Sequence, residues 1–189
     1  TYKNILLVGT EMASGFNNWE DRNTCVLFGD GSGAVVLSAA DKNDESQIID
    51  SILTSDSSKK ESLILPAGGA KRPVRQDVLD ENAQWMSMDG QTVFKNAVKT
   101  MASHCTKLLK RNNLTVNDID WFIPHQANLR IIEATGNLLK CPAEKVIVNV
   151  EKYANTSSAS IPAALHEAVA DGRIKRGDTL LFAAFGAGL

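Results

Sequence analysis

From Asp89 to Phe185 the chain switches repeatedly between two hydrophobic periods, and no other feature restricts its fold as much. Val93, Phe94, Ala97, Val98, Met101, Cys105, Leu108 and Leu109 recur at three- and four-residue steps. That is the stripe of a helix buried along one side, with Asp89 as its N-cap. Beyond it, short apolar runs predict strands at Ile119 to Ile123, Val146 to Val150 and Thr179 to Phe185, separated by helical stretches at Asn128 to Leu139 and Ser158 to Ala170. Strand and helix in alternation specify a parallel sheet covered by helices through right-handed crossovers.

The first part of the chain is patterned differently. Asn4 to Val8 and Ala34 to Leu37 predict strands, separated by a polar loop from Ser14 to Asn23 and a turn over Gly29 to Gly33. Thr24 to Phe28 is too short for its period to decide between strand and helical turn. Asp41 to Ser46 is a polar connector and the candidate domain boundary. Ile48 to Leu53 predicts a further strand, and Asp56 to Asn82 carries no long apolar period, as expected of a surface excursion. The Gly29 to Gly33 run is not followed by Gly-Lys-Ser/Thr, so it is a structural turn and not a phosphate cradle.

Composition narrows the function classes. The 189 residues carry 20 Lys and Arg against 22 Asp and Glu, a formal charge of −2, and 43% are hydrophobic. A chain this long buries about 70% of its unfolded surface and needs no staples to form a core. The near-neutral balance leaves no nucleic-acid footprint, and no run approaches the roughly 18 apolar residues of a membrane span. Cys25, Cys105 and Cys141 are odd in number and lack C-x-x-C spacing, which argues for free thiols over a disulfide framework or zinc site. The expectation is a soluble cytoplasmic protein with no metal. The abrupt start in a strand-like ILLVG and the stop at FGAGL read as a piece of something longer.

Strand ends on one edge of a parallel sheet are delivered to one neighbourhood. Here those ends are Pro124-His125-Gln126, Tyr153-Ala154-Asn155-Thr156 and Gly186-Ala187-Gly188. An imidazole, a carboxamide and a glycine-rich turn with free N–H groups all donate hydrogen bonds to an oxygen that gains negative charge. Taken singly, His125 also reads as a packed histidine and Asn155 as a loop or cap residue. His104 and His166 carry no assigned chemistry.

Pro124-His125-Gln126-Ala127-Asn128 followed by Asn155-Thr156-Ser157-Ser158-Ala159-Ser160-Ile161-Pro162 resembles the C-terminal half of a thiolase-fold condensing enzyme, β-ketoacyl-acyl carrier protein synthase III. Asp21 to Gly31, Met88 to Phe94 and Phe185 to Gly188 resemble the same family. The resemblance implies an α/β, thiolase-like fold: a duplicated βαβαβ core in five layers (αβαβα), here mainly its C-terminal half. Residues 1–40 would be the last strands of the N-terminal half and 48–189 the C-terminal half, its final strand missing. It further implies an acyltransferase that joins an acyl-CoA-derived acyl-cysteine to decarboxylated malonyl-acyl carrier protein, opening fatty-acid synthesis. His125 and Asn155 match the catalytic His and Asn. Arg22 and Asn128 match the entrance for coenzyme A or phosphopantetheine, Gly186 and Ala187 a backbone-donor turn, and Arg130 a contact with acidic carrier protein. Ala154 and Ala187 stand where the family usually has glycine.

The family's nucleophilic cysteine lies upstream of this region, and none of the three cysteines here has the setting of a thiolate at a buried helix N-terminus. The resemblance thus implies acyl-CoA and carrier-protein thioesters as substrates and no cofactor. The implied partners are the missing N-terminal half and a second copy in a homodimer, and the isolated fragment is expected to be inactive. A related polyketide, quinolone or hydroxymethylglutaryl-CoA synthase, or a non-catalytic assembly module, are the competing readings.

Overall fold

The computed structural model describes residues 2–41, 44 and 46–186. Strands β1 (Asn4–Met12) and β2 (Asp30–Ser38) form an antiparallel ladder in which Gly9 faces Gly33. Both are longer than their apolar runs because the Gly29 to Gly33 stretch, expected as a turn, lies largely inside β2. The reason is close approach. A Cβ on Gly33 would stand 2.7 Å from the Pro162 side chain, and one on Gly9 would collide with the Ser158 carbonyl oxygen. The glycines let the start of a later helix lie directly on the ladder. The opposite character is seen along β1, where Ile5, Leu6, Leu7 and Val8 are all exposed.

The connection between β1 and β2 contains a 3-10 turn at Ala13–Phe16 and a turn over Asp21 to Leu27, resolving Thr24 to Phe28 as turn plus a single bridge at Phe28. Ile48 to Leu53 forms no strand. No neighbouring backbone pairs with it among the described residues. Its Asp50 carboxylate instead accepts two hydrogen bonds of 2.6 Å from Arg111 and one of 2.8 Å from Asn112. The excursion from Asp56 to Asn82 holds more structure than its sequence pattern suggests. It contains a 3-10 turn at Ser57–Ser62, strand β3 (Leu63–Ile64) and helix α1 (Gln76–Asp80), and β3 pairs with β4 (Ser87–Met88).

Helix α2 (Gly90–Arg111) starts where expected, with Asp89 accepting from the Thr92 N–H at 3.2 Å and from its hydroxyl at 2.6 Å. Strand β5 (Trp121–Pro124) leads to α3 (Leu129–Leu139), then to the short α4 (Val150–Tyr153), to α5 (Ser160–Ala170) and finally to β6 (Leu180–Ala183). β5 and β6 run parallel, with Phe122 beside Leu181. Successive side chains of a strand point to opposite faces. Phe122 and Leu181 accordingly pack with Ala102, Cys105 and Leu109 of α2 and Leu139 of α3, while Ile123 packs with Ala164 and Ala168 of α5. Full burial of a side chain such as Phe122 contributes about 2–3 kcal/mol. Val146 to Val150 reaches the sheet only as one bridge, Val146 to Phe122, and then turns into α4. The strand pattern is broken because the Asn149 N–H is taken by the buried Gln126 side chain at 2.9 Å. Among the described residues no helix is long and apolar enough to cross a membrane.

Candidate active site

His125 follows β5 directly, and its N–H continues the sheet by donating to the Ala183 carbonyl at 2.7 Å. The imidazole Nδ1 lies 2.6 Å from Ser160 Oγ, the first residue of α5. That hydroxyl also accepts from the Gln126 N–H at 3.3 Å, so its own proton is free to go to Nδ1. In the tautomer that accepts at Nδ1 from Ser160, the ring proton is on Nε2, which is then a donor. Burial pushes the His125 pKa from its ordinary 6.5 down to about 4, so the ring is neutral at pH 7.

Asn155 arrives by a different route. α4 ends in Ala154, whose backbone has φ 58° and ψ −163°, a region that glycine alone adopts readily. The next residue bonds into the β1–β2 connection: the Asn155 N–H donates to the Leu27 carbonyl at 2.8 Å, and the Gly29 N–H donates to the Asn155 carbonyl at 3.0 Å. The side-chain Oδ1 accepts from the Ser157 N–H at 2.9 Å, which directs the Nδ2 amide protons elsewhere. Ser157 and Ser160 lie three residues apart at the start of α5. One turn of chain therefore braces both the carboxamide and the imidazole. Because Ala154 stores strain that glycine would not, Ala154→Gly is expected to raise stability by about 1–3 kcal/mol, read from denaturant unfolding of the complete protein. An unchanged midpoint would show that the loop is unstrained.

An open cleft of about 460 Å³ lies between the segment after His125, Ala127 to Leu129, and the segment before Asn155, Val150 to Ala154. Asn128 lines it while its Oδ1 caps α3, accepting from the Ile131 N–H at 2.9 Å. Arg22 is exposed on the turn beside Thr24, and Arg130 is exposed on the first turn of α3. Gly186 has φ 153°, with Phe185 before it packed against the Ala97–Met101 cluster. Ala187 and Gly188, expected to complete that turn, lie outside the described residues.

The cysteines are placed unlike nucleophiles. Cys105 is buried in the middle of α2, and burial pushes its thiol up to about 12. Cys141 is also buried, with its pKa raised by the same cause. Cys25 is half-buried in a turn. Sequence pattern alone missed Ser160, Asn149 and Glu167 as partners of the site. No local signal marks them, because each contact spans two or more elements.

A parallel sheet with helices on both faces and polar groups gathered beyond its strand ends is the architecture of thiolase-like α/β proteins. The crystal structure of 3-oxoacyl-[acyl-carrier-protein] synthase III from Aquifex aeolicus superposes with a TM-score of 0.86, at 43% identity, over 99% of this chain and 55% of that one. The priming β-ketosynthase of the R1128 polyketide biosynthetic pathway superposes with a TM-score of 0.80, at 33% identity, over 99% of this chain and 55% of that one. The chain belongs to the β-ketoacyl-acyl carrier protein synthase III family. The profile of the 3-oxoacyl-[acyl-carrier-protein (ACP)] synthase III C terminal matches residues 109–189, and that of 3-oxoacyl-[acyl-carrier-protein (ACP)] synthase III matches residues 1–57. The β-ketoacyl-[acyl-carrier-protein] synthase III of Campylobacter fetus subsp. fetus is 48% identical over 186 residues, 98% of this chain and 56% of the relative. The chain thus spans about half the length of the relatives it matches.

Proposed function

We propose that this chain supplies the decarboxylation half of a condensing active site, with His125 and Asn155 as the paired donors. The supporting observation is that both side chains are braced by one turn, Ser157 to Ser160. His125 Nε2–H and Asn155 Nδ2–H donate to the thioester oxygen of a malonyl group. The bond between the malonyl carboxylate carbon and Cα breaks, CO2 leaves, and the electron pair is held as an enolate on that oxygen. The enolate carbon then attacks an acyl thioester on a cysteine; a carbon–carbon bond forms and the thiolate departs. A neutral imidazole serves as a hydrogen-bond donor throughout and gives up no proton.

The nucleophile in this proposal is a cysteine outside residues 1–189, since Cys25, Cys105 and Cys141 lack the setting of a thiolate. Acyl-CoA and malonyl-acyl carrier protein thioesters enter by the cleft, past Arg22 and Asn128. Arg130 faces the acidic carrier protein, and Gly186 offers its backbone N–H. The exposed apolar run of β1 is covered by the other half of the duplicated fold and by a second subunit. No cofactor takes part, and the setting is the cytoplasm. Incubating the complete gene product with acetyl-CoA and mapping the acyl group by mass spectrometry tests this assignment. The label is expected on a cysteine outside the chain described, and label on Cys25, Cys105 or Cys141 would overturn it. Likeness to the R1128 enzyme supports a second reading, priming of polyketide synthesis, and loading rates with acetyl- against longer acyl-CoA separate the two.

A further inference from the structure

The Asn155 loop is held from behind by a carboxylate that the chemistry above does not use. Glu167, two turns along α5 from Ser160, accepts from Lys152 Nζ at 2.6 Å, Tyr153 OH at 2.8 Å and Asn149 Nδ2 at 2.8 Å. These donors span α4 from its N-cap to its last residue, and α4 runs straight into Ala154 and Asn155. A four-residue helix has no cooperative stability of its own, so its orientation is set by what grips it. Lys152 is 63% exposed, and its ion pair alone would contribute little. Three converging hydrogen bonds to one ionised acceptor form a geometric clamp.

The clamp is also tied to the His125 side. The Asn149 N–H donates to Oε1 of Gln126 at 2.9 Å, and Gln126 Nε2 donates to the carbonyls of Pro124 at 2.8 Å and Ile147 at 3.1 Å. Gln126 is fully buried and adjoins His125. α5 therefore carries Ser160, which orients the imidazole, and Glu167, which orients the helix delivering the carboxamide. The strained Ala154 backbone gives the loop a reason to relax elsewhere once the grip is released.

We propose that Glu167 is a positioning residue: through α4 it sets the Asn155 amide relative to His125 Nε2, and so governs enolate stabilisation without touching substrate. This rests on the reading of His125 and Asn155 as the decarboxylation pair. Misplacing a catalytic group by about 1 Å costs on the order of 10²-fold.

The test uses the complete protein with malonyl-acyl carrier protein, measuring decarboxylation and acyl loading separately. Glu167→Gln, which keeps the side chain's size but loses its charge, is expected to lower kcat for decarboxylation about tenfold or more, with KM and the loading rate within about twofold of the parent. An unchanged kcat overturns the inference, and so does a parallel loss of loading, which would mark Glu167 as a general stabilising residue. Should Glu167→Gln not fold, Asn149→Ala in the same assay removes one donor and leaves the carboxylate. A severalfold fall in kcat at constant KM supports the clamp, and an unchanged kcat overturns it. Asn155→Ala and His125→Ala run alongside. Full decarboxylation in those two variants would instead overturn the assignment of the pair itself.

Discussion

Replacing Asn155 or His125 by alanine in the complete protein is expected to slow malonyl decarboxylation by about 10²–10³-fold each, while acyl loading continues. The magnitude follows from the loss of one preorganised donor to a developing oxyanion, about 3–4 kcal/mol. The side chains are preorganised in this sense. Asn155 Oδ1 is occupied by the Ser157 N–H, and His125 Nδ1 by Ser160, so each presents its remaining donor without first breaking another bond. Because the two donors act on one atom, the double variant is expected to fall well short of the product of the single effects. Trapping of released CO2 from labelled malonyl thioester reads the first step, and intact mass reads the second. Undiminished CO2 release in both variants would overturn the assignment of the pair.

The second large effect is on stability as pH falls. Burial holds the His125 pKa at about 4 against an ordinary 6.5, so between these values the unfolded chain binds a proton that the folded chain refuses. Stability from this group is fully present above pH 6.5 and is lost as pH drops toward 4, by up to about 3 kcal/mol. Glu167 and Asp50, both held at about 2 by their hydrogen-bonded partners, contribute stability that is present above their ordinary values of 4.5 and 3.8 and is lost as pH falls from there toward 2. Of these three groups the imidazole alone acts in the part of the window above the ordinary carboxylate range. Urea midpoints of the complete protein across that window should fall more steeply than those of His125→Gln, whose side chain does not titrate. Parallel curves would show that His125 is solvated well enough to accept its proton in the folded state.

Some elements were legible because their determinants are local. The long apolar stripe of α2 and its Asp89 cap announce a helix wherever the segment is placed, since the i, i+3 and i+4 repeat and the capping hydrogen bonds need no distant partner. His125 and Asn155 stand out in the sequence for a related reason, as polar residues at the ends of successive elements in an alternating pattern. Elements that depend on a neighbour were not. Ile48 to Leu53 has the composition of a strand but no backbone beside it, and the Asp50–Arg111 pair holds it in another shape. Val146 to Val150 has that composition too, yet Gln126 captures the Asn149 N–H and ends the pairing after one bridge. Gly31 and Gly33 look like turn residues until Thr156 and Pro162 are seen lying against them.

The amino-acid sequence by itself determined the helices α2, α3 and α5, the strands β5 and β6 and the Asp89 cap, because these follow from spacing and side-chain type. The tertiary structure alone decided that Ser160 meets the His125 ring and that Glu167 grips the helix before Asn155. Those contacts join residues 35 and 18 positions apart along the chain. Hydrogen bonds are short-ranged and directional, so only the crossing of α5 over the ends of β5 and α4 brings their partners within reach.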